Sequence, residues 1–71
     1  METHVEHRPF ISGPELREER EAAELTQAEL AAAMGVHRTT VAVGEARAKV
    51  RPSFARRYRE AIAKLMAGRA A

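Results

Sequence analysis

The chain contains no cysteine, no aspartate and no asparagine, a single glutamine, and only three aromatic residues, Phe10, Phe54 and Tyr58. Each shortage removes a class of explanation. Without cysteine there is no disulfide to staple a small fold and no thiolate metal site. With only Ser12 and Ser53 as serines, three histidines and no aspartate, a nucleophilic or acid–base constellation has few members to draw on. No catalytic residue is expected, and the protein is read as a non-enzyme. His4 and His7 stand three apart near the N-terminus, but no fixed third ligand accompanies them, so neither a metal site nor a cofactor is expected. No apolar run approaches the roughly 18 residues of a membrane span, and the acidic N-terminal stretch does not resemble a signal peptide. A soluble cytoplasmic protein with no membrane partner is the expectation.

Large apolar side chains are scarce as well. Fifteen of the 71 residues are alanine, which leaves Leu16, Leu25, Leu30, Met34, Val36, Val41, Phe54, Tyr58, Ile62 and Leu65 as the main core candidates. A core this thin makes self-association an expectation. What the chain has in abundance is segregated charge. Residues 1–37 carry three arginines against eight glutamates, and residues 38–71 carry nine basic residues against Glu45 and Glu60. Such asymmetry suits a surface that faces a polyanion, although a merely solvated basic face would look the same.

Along the chain, residues 1–11 lack helical period and contain Pro9, so a flexible arm or short strand is expected there. Ser12 with Glu15 forms a capping-box pattern and Pro14 suits a first turn, predicting a helix from about Pro14 to Ala23. Thr26 with Glu29 repeats the pattern. Leu30 and Met34 share one face, and Gly35 sits where a left-handed residue ends a helix. A third helix is predicted over about residues 37–44, with Val41 as its buried residue. The basic connector "ARAKVR" then leads to Pro52. A final helix follows, with Phe54, Tyr58, Ala61, Ile62 and Leu65 on one stripe and Gly68 at its end. The organisation reads as an arm at 1–11, a domain at 12–68 and a tail at 69–71.

Two short helices joined by a tight glycine turn, the second polar and β-branched, describe a helix-turn-helix. The segment from Leu16 to about Pro52 resembles the Cro/phage-repressor (Xre-type) helix-turn-helix family. "LTQAELAAAMGVHRTTV" carries the likeness, and Glu45 and Pro52 fall where the family often has these residues. The resemblance implies an all-α, lambda-repressor-like domain of four to five helices. It implies base reading by Arg38, Thr39, Val43 and Gln27, with Arg38 suited to guanine and Thr39 or Val43 to a thymine methyl. Thr26, His37, Thr40, Arg47, Lys49 and Arg51 are implied as DNA-backbone contacts or caps. Arg20 and Glu45 match positions that form a structural ion pair.

The chain also departs from the family pattern. Gly44 replaces a large apolar residue, Arg47 a frequent glycine, Glu24 another frequent glycine, and Glu19 a frequent apolar residue. The recognition helix is therefore expected to end early at Gly44, leaving a core gap for Phe10 and Ile11 or a second subunit to fill. Phe54 to Leu65 reads as one long helix where the family has two short ones. The functional expectation is a DNA-binding regulator, a repressor or autoregulator of a phage, plasmid or mobile-element operon, binding a palindromic double-stranded operator as a homodimer. The alternative is an antitoxin-like module that captures a protein partner and also represses its own operon. A basic amphipathic final helix acting on a membrane or a partner is a third, weaker reading.

Overall fold

The computed structural model describes residues 10–70. The expectations placed on residues 1–9, His4 and His7 among them, lie outside the described residues. Four helices follow in order, α1 (Gly13–Ala22), α2 (Gln27–Met34), α3 (Arg38–Ala46) and α4 (Pro52–Ala70), within the four to five expected. No strand occurs among the described residues beyond a single antiparallel bridge, in which the Val50 N–H donates to the Ile11 carbonyl at 2.9 Å.

The helix starts follow local chemistry. At α1 the Ser12 hydroxyl accepts from the Glu15 N–H at 3.2 Å while the Glu15 carboxylate accepts from the Ser12 N–H at 2.9 Å. Thr26 and Glu29 repeat this at α2, at 3.0 and 2.8 Å. Each box satisfies two amides that the first turn cannot bond internally. Gly35 ends α2 at φ 73°, a left-handed conformation that carries a steric cost for any residue with a Cβ.

Gly68 does not end α4, contrary to expectation. The helix passes through it to Ala70, because the last turn is tied down from the side. The Arg69 guanidinium donates to the Ala23 and Glu24 carbonyls at 2.8 and 2.9 Å, closing over the exit of α1. Nor does α3 stop at Gly44; it continues to Ala46. The core gap foreseen at Gly44 is occupied by Phe54 of α4, not by Phe10 and Ile11. A Cβ on Gly44 would lie 2.5 Å from the Phe54 ring.

The core is formed by Leu16, Leu30, Val41 and Tyr58, all fully buried, with Val50, Ala31, Ala55 and Ala61 around them. Met34, Val36, Phe54, Ile62 and Leu65 pack at its edge. α2 lies against both α3 and α4, and α1 closes the other side against the same pair. Alanines at 31, 55 and 61 keep these crossings close. At Gly13 the approach is closer still, since a Cβ there would overlap the backbone of Gly44 and Glu45. Val50, read from sequence only as part of a basic connector, is a core residue, and it anchors that connector beside α3.

Candidate nucleic-acid interface

α3 is held from beneath and left open above. Val41 and Glu45, one turn apart, are its buried side chains, while Arg38, Thr39, Thr40 and Val43 are exposed. His37 caps its start, its Nδ1 accepting from the Thr39 N–H at 3.2 Å. Between Met34 and Arg38 only three residues turn the chain, which sets α2 across the base of α3 as a helix-turn-helix requires.

The clamp beneath α3 is centred on the Glu45 carboxylate. Arg20 meets it at two points, Nε to Oε2 at 2.7 Å and Nη2 to Oε1 at 3.0 Å. Tyr58 donates its hydroxyl to Oε2 at 2.6 Å, and Gln27 donates Nε2–H to Oε1 at 3.0 Å. The remaining Arg20 nitrogen, Nη1, donates to the Leu25 carbonyl at 2.8 Å. Side chains from the three other helices thus converge on one carboxylate of α3, and no buried side-chain polar atom among the described residues lacks a partner. Burial alone would push the Glu45 pKa up. The hydrogen bonds from Arg20, Tyr58 and Gln27 outweigh it and hold the carboxylate below the ordinary glutamate value. Burial and the same carboxylate raise Tyr58 well above an ordinary phenol, so it remains a donor. The Glu45 hydrogen bond raises Arg20 further.

Gln27, read from sequence as a base contact, has both ends of its amide engaged. Nε2 binds Glu45, and Oε1 accepts from Arg38 Nη1 at 3.3 Å. It is half-buried and links the clamp to the exposed Arg38. Thr26 spends its hydroxyl on the α2 cap. Arg38, Thr39, Thr40 and Val43 lie together on α3, and Arg47, Lys49 and Arg51 follow on the connector; all seven are exposed. Lys49 rests its ammonium 5.0 Å above the Phe10 ring. Between α3 and the connector runs an open groove bordered by Thr39, Val43, Arg47, Lys49 and Arg51 and floored by Val50 and Phe54.

Sequence reasoning missed the Tyr58 hydroxyl and the double engagement of Gln27. The stripe on α4 identified Tyr58 only as a core residue, and nothing in its spacing indicates which carboxylate its hydroxyl meets. The departures from the family pattern find local partners. Glu19 forms a two-point pair with Arg59 at 2.9 and 2.6 Å. Arg47 has an ordinary extended backbone, φ −81° and ψ 140°, that needs no glycine. Glu24 does occupy a left-handed position, at φ 59°.

Among the described residues there is no group of three side chains suited to hold a metal ion, and no helix is long and apolar enough to cross a membrane. A helix-turn-helix family model matches residues 16–58, more than half of the chain. Neither the curated proteins nor the solved structures contain a match.

Proposed function

The chain belongs to the helix-turn-helix family, whose members are DNA-binding transcription regulators, and we propose that it represses or autoregulates a phage, plasmid or mobile-element operon. In this reading α3 enters the major groove and reads base edges with Arg38, Thr39 and Val43. Arg47, Lys49 and Arg51 grip the adjacent phosphates, and the amides at the α2 start approach the backbone beside Gln27. The protein acts as a homodimer on a palindromic operator with half-sites roughly 34 Å apart, within the nucleoid of the cytoplasm.

The observation that carries the reading is the contrast across α3. Its lower side is locked by the Arg20–Glu45–Tyr58 clamp, while its upper side presents an exposed arginine, two threonines and a valine beside the exposed cations Arg47, Lys49 and Arg51. A rigid support beneath an exposed polar helix suits a surface that must match a groove without reorganising.

Selection of bound duplexes from a random pool, followed by a salt titration, tests this. A palindromic consensus is expected, with affinity falling steeply as salt rises, by a slope of roughly −0.9 per phosphate neutralised. Equal affinity for all sequences, or no binding at low salt, would overturn it. A selective but non-palindromic site would leave DNA recognition standing and remove the dimer.

A further inference from the structure

The groove between α3 and the connector has a volume of about 390 Å³, a size that suits a small molecule. Its apolar lining comes from Val43, Val50 and Phe54. Val43 is 48% exposed, one of two large apolar side chains among the described residues to stand so far in solvent. Gly44, also in the lining, leaves room for the Phe54 ring, since a Cβ there would lie 2.5 Å from it. Three cations, Arg47, Lys49 and Arg51, share the groove with Thr39 and Thr40. No described acidic residue borders it. The neighbouring carboxylate of Glu45 is taken by Arg20, Tyr58 and Gln27 beneath α3.

Two other surface depressions lack this combination. One includes Glu60, and its Arg59 is paired with Glu19. The other includes Glu29, and its Arg69 is engaged by carbonyls at the end of α1. In the α3 groove an inorganic anion would satisfy the cations and leave the hydrocarbon wet. A neutral apolar molecule would cover the hydrocarbon and strip water from the cations without replacement. A carboxylate on an aromatic body answers both. Its ring packs with Phe54, its charge meets the cations, and those cations are themselves attracted to an aromatic face. Lys49 already holds its ammonium 5.0 Å from the Phe10 ring.

We propose that this groove binds a small aromatic carboxylate and that the bound anion releases DNA. The second part rests on the DNA-binding reading above, because Thr39, Val43, Arg47, Lys49 and Arg51 serve both ligands. The effector site and the recognition surface then coincide, and occupancy by one excludes the other.

The test uses the full chain with naphthoate as the probe. Acetate supplies the charge without the ring, and naphthamide the ring without the charge. In an amide NMR titration naphthoate is expected to bind with a Kd of about 1 mM, with shifts centred on Val43, Val50 and Phe54. Acetate and naphthamide should each bind at least about fivefold more weakly. Val43→Ala and Lys49→Gln are each expected to weaken naphthoate about two- to fivefold, with thermal melts verifying the fold. Met66→Ala, which trims the other exposed large apolar side chain, leaves binding unchanged. At fixed ionic strength and about ten times its Kd, naphthoate should weaken binding of the selected duplex about tenfold.

Absent shifts, shifts centred elsewhere, or equal binding of naphthamide would overturn the site. If naphthoate binds in the groove and duplex affinity holds, the release is overturned and the site stands. If no duplex binds even without naphthoate, the DNA reading fails and the release with it, and the titration alone decides the site.

Discussion

Arg20 on α1 and Glu45 on α3 are 25 residues apart in sequence, yet they form a buried two-point ion pair at 2.7 and 3.0 Å. Removing one partner leaves the other charge buried, which ordinarily costs about 3–5 kcal/mol. In a chain of 71 residues with few large core side chains, that is most of the stability. Arg20→Ala and Glu45→Ala are therefore expected to be largely unfolded at 37 °C. Tyr58→Phe, which removes a single hydrogen bond to the carboxylate, is expected to lose about 1–3 kcal/mol. Thermal melts of the three variants check this, and an unchanged melting temperature in Arg20→Ala would contradict it.

The same carboxylate sets a pH dependence. Its folded pKa lies below the ordinary value of 4.5, so the unfolded chain takes up the proton first as pH falls. The stabilisation from Glu45 is complete above the unfolded value and is lost as pH drops through the lower folded one. Melting temperature is expected to be insensitive to Glu45 from neutrality to about pH 5 and to fall below pH 4. Because the pair is buried, moderate salt should change this little. Melts across a pH series at two salt concentrations provide the measurement.

Glu24 and Gly35 make opposite predictions from the same backbone region. Glu24 holds φ 59° with a Cβ, and Gly35 holds φ 73° without one. Glu24→Gly relieves strain, partly offset by the greater freedom of glycine when unfolded, and is expected to stabilise by about 0.5–1 kcal/mol. Gly35→Ala meets no atom within 4 Å, so its cost is purely conformational, about 1–2 kcal/mol. Chemical denaturation curves distinguish the two signs.

Gly44 and Phe54 occupy one space between them. Gly44→Ala puts a Cβ within 2.5 Å of the ring and is expected to destabilise by about 1–3 kcal/mol through overpacking. Combined with Phe54→Leu, the loss should be smaller than the sum of the single losses. Strict additivity in that double-mutant cycle would show that the ring does not fill the glycine's place.

Gln27 ties Arg38 to the clamp, so the two should act together in recognition. Arg38→Ala is expected to relax preference at one base pair by about 1–3 kcal/mol. Gln27→Ala should relax the same base pair, by less, with a smaller loss of thermal stability than Arg20→Ala. Lys49→Ala should weaken all duplexes uniformly and lower the salt slope by about one phosphate. Binding to a panel of single-base operator variants separates these patterns.

Much of the local structure was legible in the residues themselves. Two capping boxes, the glycine after Met34 and the stripe from Phe54 to Leu65 specify where helices begin and which faces turn inward, because those effects act within a few residues. Arg20 and Glu45 were also visible as a pair, through resemblance rather than spacing. What only the tertiary structure decided are the contacts made across helices. Gly44 reads as a hole until α4 swings Phe54 against it. Gly68 reads as a stop until Arg69 reaches the exit of α1. Gln27 reads as a base contact, and only the fold shows Glu45 and Arg38 taking the two ends of its amide. A side chain's partner depends on which helices cross and at what distance. Those crossings are set by the small residues Gly13, Ala31 and Gly44, whose consequence is proximity and leaves no periodic trace in the chain.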